Sequence, residues 1–155
     1  MNNIELKPID EDNFNAVIDL DDTLSDAQKR CVAPNVYSLA EAYVHGDAAW
    51  PRAIVLEGKP IGFVMLSRKE EGVEASHRPA YALWRLMIAS PHQGKGYGAS
   101  TLDLLVDKCR DGGIKTLYTS CNTDGEQPYR FYIDYGFIDT KKMIDDEQLL
   151  MLAIP

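Results

Sequence analysis

The segment Gln93-Gly94-Lys95-Gly96-Tyr97-Gly98-Ala99 lies between an apolar run, Tyr81 to Ile88, and a run of helical periodicity, Ala99 to Asp111. Glycines at such a strand-to-helix junction let backbone N–H groups close on an anion without interference from Cβ atoms. The first N–H groups of the helix add donors and the positive end of its dipole. The expected ligand is therefore phosphorylated. Lys95 either adds charge to this cradle or is a solvated surface lysine. A nucleoside-triphosphate loop is excluded because Lys95 is followed by Gly96, where Ser or Thr is required. The spacing of Gly94, Gly96 and Ala99 fits a dinucleotide fingerprint, but that fingerprint wants an acidic residue closing the next strand. Here the run Ile114 to Ser120 closes on Cys121 and Asn122.

The full spelling Gln93-x-x-Gly96-x-Gly98, after a strand ending Leu86-Met87-Ile88, resembles the coenzyme A loop of the GNAT superfamily of N-acetyltransferases. A second segment, Phe131-Tyr132-Ile133-Asp134-Tyr135-Gly136-Phe137, resembles the signature that the superfamily carries on its last helix and the following turn. The two occur in the family's order and spacing. Asn35 to Tyr43 and Pro60 to Met65 resemble the polyamine acetyltransferase branch, so the resemblance spans most of the chain.

The resemblance implies acetyl-coenzyme A as cosubstrate, no metal, and direct attack by an amine in a ternary complex. It places the pantetheine against the backbone of Met87 and Ile88, whose side chains are then plain core, and the pyrophosphate on the loop Gln93, Gly94, Lys95, Gly96, Tyr97, Gly98 and Ala99. Tyr132 matches the tyrosine that points at the coenzyme sulfur in many members, and a phenol, protonated at neutral pH, can meet a departing thiolate. Tyr132 is either that acid or a buried helix anchor. Tyr129, one turn earlier, is the rival donor, and Tyr135 is expected to pack against Phe137.

No general base stands out, because Trp84-Arg85-Leu86-Met87 lacks the strand glutamate of many members. Asp124 and Glu126 are open alternatives, as bases or as ordinary acids at a helix start. Gly125 stands where an asparagine often contacts the pantetheine. Acceptor contacts are expected from Trp84, Arg85, Asn35, Ser38 and Glu41, in regions that cover the amine entrance in the superfamily. Arg85 would repel an ammonium and is expected to pair with an internal carboxylate. A reactive Cys121 would be the exception to direct attack. The acceptor implied is a small polyamine such as spermidine or spermine. Another amine, an aminoglycoside or a peptide N-terminus, and a coenzyme A-binding regulatory domain without turnover are the alternatives.

These residues must be positioned by a mixed α/β fold. Ile4, Leu6 and Ile9 give a first strand, and Asn13 to Leu20 a helical stretch interrupted by Asp21-Asp22-Thr23. Ser38 and Glu41 have the spacing of a capping box for a second helix ending at Gly46. That spacing makes Glu41 either a cap or a ligand. Arg52 to Leu56 and Ile61 to Ser67 form a hairpin around Gly58-Lys59-Pro60. Tyr81 to Ile88 is a long strand, and Leu102, Leu105, Val106 and Cys109 mark the buried face of a helix stopped by Gly112-Gly113. Ile114 to Ser120 follows as a strand in a right-handed crossover. Glu126 to Tyr135 is the last helix, and Phe137 to Met143 with Gln148 to Ile154 closes a hairpin at Asp145-Asp146. The expected architecture is the GNAT one: a mixed, mostly antiparallel sheet flanked by helices, with a splayed parallel pair at the coenzyme site.

At 155 residues the chain is expected to be one domain. A net charge of −8 disfavours nucleic acid and anionic membranes as partners and favours a cationic substrate. No stretch reaches the roughly 20 apolar residues of a membrane span, and no basic leader precedes one, so a cytoplasmic location is expected. Cys31, Cys109 and Cys121 are an odd set without metal-like spacing and are expected to be reduced. The scattered His45, His77 and His92 receive no assigned role. A homodimer is in keeping with the resembling family.

Overall fold

The computed structural model describes residues 3–123 and 126–155. Its centre is a seven-stranded sheet of order β1-β2-β3-β4-β5-β7-β6, formed by Ile4–Lys7, Ala49–Leu56, Lys59–Ser67, Ala80–Ile88, Thr116–Cys121, Ile138–Ile144 and Glu147–Ala153. Every pairing is antiparallel except β4 with β5. This is the expected mixed sheet with one parallel junction.

Alternation along the strands assigns the two faces. Ile54, Val64, Leu66, Leu83, Leu117 and Leu150 form one core with Leu102, Leu105 and Cys109 of α4 (Tyr97–Asp111) and Tyr132 of α5 (Glu126–Tyr135). Ala53, Val55, Phe63, Met65 and Met87 form the other with Val17 of α1 (Phe14–Asp19) and, at its margin, Leu39 and Ala42 of α3 (Asn35–His45). β3 therefore reads as an unbroken apolar run, because it is covered on both faces.

Four local expectations shift. The second helix, α3, starts at Asn35 rather than after a Ser38 cap: Pro34 precedes it, and the Asn35 N–H is capped from a distance by the Asp21 carboxylate at 2.7 Å. Ser38 is fully buried inside the helix. The capping box instead joins Ser25 and Gln28 at α2, Asp26–Lys29, a single turn that helical periodicity is too short to mark. The first hairpin turns at Glu57-Gly58, both with positive φ, so Lys59 and Pro60 belong to β3. Helix α4 opens at Tyr97, two residues ahead of Ala99, because Gly96 takes a left-handed φ of 87° and serves as its N-cap.

Candidate active site

The site is built where β4 and β5 part. Their parallel pairing covers Ala80, Tyr81 and Ala82 opposite Thr116, Leu117 and Tyr118, then stops. One further bond, from the Thr119 hydroxyl to the Leu83 carbonyl at 3.2 Å, closes the vertex. A bulge explains the parting. Met65 pairs with Arg85 and Leu66 with Leu83, which leaves Trp84 as an extra residue in β4. An extra residue bends its strand and flips the side chains beyond it. Leu83, Leu86 and Ile88 accordingly pack on the α4 side, while Trp84 and Met87 pack on the α3 side.

The carbonyl of Met87 is turned toward β3; a Cβ at Gly62 would stand 2.5 Å from it. Since successive residues of a strand direct their backbone groups to opposite edges, Leu86 and Ile88 face the gap. Of the expected pair, Ile88 therefore presents its backbone to the gap, whereas Met87 turns its backbone to β3 and Leu86 takes its place. The Ile88 carbonyl already accepts from Gln93 Nε2 at 2.8 Å, and Gln93 also accepts from Gln28 of α2 at 2.9 Å. Gln93 is therefore a strut that ties the glycine loop to both β4 and α2.

A cleft of about 1880 Å³ runs through this gap, well beyond the roughly 300–1000 Å³ that holds a drug-sized ligand. At one end lie Gly94, Gly96, Tyr97, Gly98 and Ala99. Helix α4 begins there with no side-chain cap, so its first N–H groups are open to an anion. Lys95 is exposed at the loop tip, outside the lining. Gly98 has a different reason to be glycine: a Cβ there would meet the Phe131 ring of α5 at 3.1 Å. These features fit a pyrophosphate at the loop and an extended chain in the gap.

Tyr132 reaches the vertex from α5. Its ring packs edge-on between Phe131 and Phe137, at centroid distances of 5.1 and 5.3 Å, and its hydroxyl is hydrogen-bonded to the Thr119 side chain. Burial holds the phenol far above the usual tyrosine range, against the opposing effect of Thr119. It stays a proton donor at any physiological pH. The rival Tyr129 donates to Asp139 at 2.8 Å, and Tyr135 donates to Asp103 at 2.7 Å while lying against Phe137. Burial pushes the Cys121 thiol up to about 11, with Glu147 and Asp139 adding to the effect, so at neutral pH it is no nucleophile.

On the opposite face of β5 the cleft opens into a second arm. Trp84 and Arg85 both line it. Arg85 finds its internal carboxylate in Glu41, at 2.9 Å. Glu41 therefore acts on the cleft through Arg85. Asn35 is fully buried, donating to the Val17 carbonyl at 2.8 Å, and ties α1 to α3 behind Met87 without reaching the cleft. Asp124, Gly125 and the Glu126 side chain lie outside the described residues. Sequence reasoning missed four residues of this arm: His77, Tyr118, Ser120 and Glu147. Ser120 donates to Glu147 at 3.0 Å, and His77 shares a hydrogen bond with Tyr118. Strand alternation placed Tyr118 and Ser120 on one face, but their partners lie 41 and 27 residues away and carry no local signal.

The family model for the acetyltransferase (GNAT) family matches residues 18–137. The sequence matches no curated protein. Among solved structures, the GNAT domain of S. lividans PAT superposes with a TM-score of 0.75 at 16% identity, covering 97% of this chain and 89% of that one. An acetyltransferase from Thermus thermophilus gives 0.75 at 16%, covering 97% and 96%. Mutant forms of the spermidine/spermine N-acetyltransferase SpeG from Vibrio cholerae give 0.65 at 16%, covering 97% and 94%.

Proposed function

The chain belongs to the acetyltransferase (GNAT) family and is an N-acetyltransferase, and from that premise we propose that it acetylates a primary amine of a small polyamine, of the spermidine or spermine kind, by direct attack in a ternary complex. The observation that carries the acceptor class is the distribution of charge along the cleft. At the loop end, Lys29 and Arg30 follow Gln28, which is bonded to Gln93, and both line the wall. In the other arm Arg85 is neutralised by Glu41, and Lys142 by Glu74 at 3.0 Å. Glu71, Asp145 and Glu147 remain there against Lys69. Negative charge thus collects where an alkylammonium would enter, and Trp84 offers an aromatic face beside it.

Bound acetyl-coenzyme A supplies an activated acetyl thioester. The loop from Gly94 to Ala99 and the N-terminus of α4 hold its pyrophosphate, and Leu86 offers its backbone edge to the pantetheine. Glu147, fixed by Ser120, meets the charged acceptor. Tyr132 donates its phenolic proton to the departing thiolate at the vertex. Holding both partners in one cleft converts their encounter into an intramolecular step.

The test is a competition among spermidine, a peptide amine and an aminoglycoside, read by release of free thiol. Spermidine is expected to give the highest kcat/KM, with a KM that rises with salt as the carboxylates are screened. Glu147→Gln is expected to raise that KM about tenfold, the value of roughly 1.4 kcal/mol for one lost charge-assisted contact. A peptide or aminoglycoside preferred over spermidine at low salt overturns the acceptor assignment. A chain that binds coenzyme A and acetylates no amine supports the regulatory alternative.

A further inference from the structure

Acetyl transfer needs an uncharged amine, and the strand before the loop carries no carboxylate to accept its proton. The second arm of the cleft holds a group suited to that task. Tyr118 follows Leu117 and precedes Thr119 on β5. Leu117 is buried against α4, and Thr119 bonds Tyr132, so Tyr118 projects from the other face at the same vertex. Its hydroxyl is hydrogen-bonded to Nδ1 of His77, and both residues line the acceptor arm. Nε2 of His77 lies 4.0 Å from the Glu74 carboxylate, which is itself held by Lys142 at 3.0 Å. Thus an imidazole, the side chain that changes charge nearest neutral pH, is coupled through one phenol to the acceptor face. Thr119, which meets the proton donor Tyr132 of α5, and Tyr118, which meets His77, are consecutive residues of β5 on opposite faces of the sheet.

We propose that Tyr118 touches the acceptor amine and relays its proton to His77, which is a positioning and proton-storing residue acting through Tyr118. The proposal rests on the N-acetyltransferase reading and deepens it. One N–H bond of the alkylammonium breaks as its proton passes to the Tyr118 oxygen, and the Tyr118 O–H proton passes to Nδ1 of His77. The amine recovers its lone pair, Tyr118 is restored, and His77 becomes imidazolium facing Glu74. The groups around the pair are Glu74 on the same loop, Lys142 on β6 and Tyr118 on β5, with Glu71 and Glu147 lining the same arm.

Two readouts test it, one of them independent of turnover. By 15N NMR, Nδ1 of His77 is expected to show the chemical shift of a nitrogen that accepts a hydrogen bond, and Tyr118→Phe is expected to move that shift as the bond is lost. In steady-state assays with the best amine, His77→Gln is expected to lower kcat/KM about 100-fold at neutral pH and to remove the acid limb of its pH profile, without changing coenzyme A affinity or Tm. Tyr118→Phe is expected to do the same, and the double variant to be no worse than either single one, as for residues that act as a unit. An unmoved His77 Nδ1 shift in Tyr118→Phe, or an acid limb intact in folded His77→Gln, overturns the proposal. Either result leaves the acceptor assignment standing, since that is judged by the wild-type enzyme's choice among amines.

Discussion

Replacing Tyr132 by Phe removes a single oxygen from the vertex of the cleft, and the structure separates what that oxygen does for stability from what it does for rate. The ring is 8% exposed and held by Phe131 and Phe137, contacts that Phe retains. The hydroxyl bonds the Thr119 side chain, which keeps its own bond to the Leu83 carbonyl. Losing one such buried bond costs about 0.5–1.5 kcal/mol. For a domain of this size that lowers Tm by roughly 1–6 °C. A positioned proton donor accelerates its step by about 10²–10⁴, which corresponds to roughly 2.7–5.5 kcal/mol of barrier. The rate effect should therefore exceed the stability effect severalfold.

The assay is thiol release under saturating acetyl-coenzyme A and amine, at a temperature where circular dichroism shows the variant folded. kcat is expected to fall at least 100-fold with coenzyme A affinity preserved in calorimetry. Because burial holds Tyr132 well above the usual phenol range, its loss of the proton lies at higher pH than about 10. Any basic limb seen below that pH is then expected to persist in the variant. A folded Tyr132→Phe enzyme with wild-type kcat refutes the general-acid role and leaves the ring as a packing element. A basic limb that disappears with the hydroxyl would refute the assignment of its proton affinity to burial.

Gly96→Asp should abolish coenzyme A binding by calorimetry and cost about 1–2 kcal/mol for the left-handed backbone, whereas Gly98→Ala should mainly lower Tm by displacing Phe131; equal losses of affinity in both would count against the cradle at Gly96. The thiols of Cys109 and Cys121 are each pushed up to about 11 by burial, above the roughly 8.5 of an unfolded chain. Their folded values are raised, so the stability they lend is complete below about pH 8.5 and falls as pH climbs through about 11. Urea midpoints should decline over that window, and less steeply in Cys121→Ala; at pH 7 a maleimide should label exposed Cys31 well ahead of both, and equal labelling of all three would contradict their burial.

Much of this was legible because it is local. Gly112-Gly113 stops α4, and Asp145-Asp146, both at positive φ, turn the last hairpin, each by its own backbone preference. Tyr132 and the glycine loop stand out in the sequence because their spelling is contiguous. The start of α3 was misplaced because its cap, Asp21, comes from 14 residues away. Ser38 mimics a cap in sequence while packing as a small buried residue. Asn35 looked like a ligand for an amine because it is polar in an entrance region; its amide instead satisfies the Val17 carbonyl in a place no water reaches. The acceptor arm was missed for the converse reason. His77, Tyr118, Ser120 and Glu147 come from a loop and two strands, and only the folded sheet brings them together.

The least legible residue is the one that makes the cleft. Read with a strict period of two, Tyr81 to Ile88 puts Trp84, Leu86 and Ile88 on one face and Leu83 and Met87 on the other. The extra residue at Trp84 breaks that period, and no composition signal marks it. Its effects are coupled. It turns Trp84 to the α3 side, sends Leu86 and Ile88 to the α4 core, and lets the end of β4 part from β5. The backbone edge so exposed would ordinarily invite another strand. Here the Ile88 carbonyl is closed by Gln93, the Trp84 carbonyl by Arg85 and the Leu83 carbonyl by Thr119, so Leu86 is the edge residue left between them along the cleft. A strand-like ligand with an anionic end fits that edge, because its chain can complete the pairing while the N-terminus of α4 takes its charge. The same bulge that spoils the sequence pattern thus leaves an edge whose shape suits an extended, anionic chain.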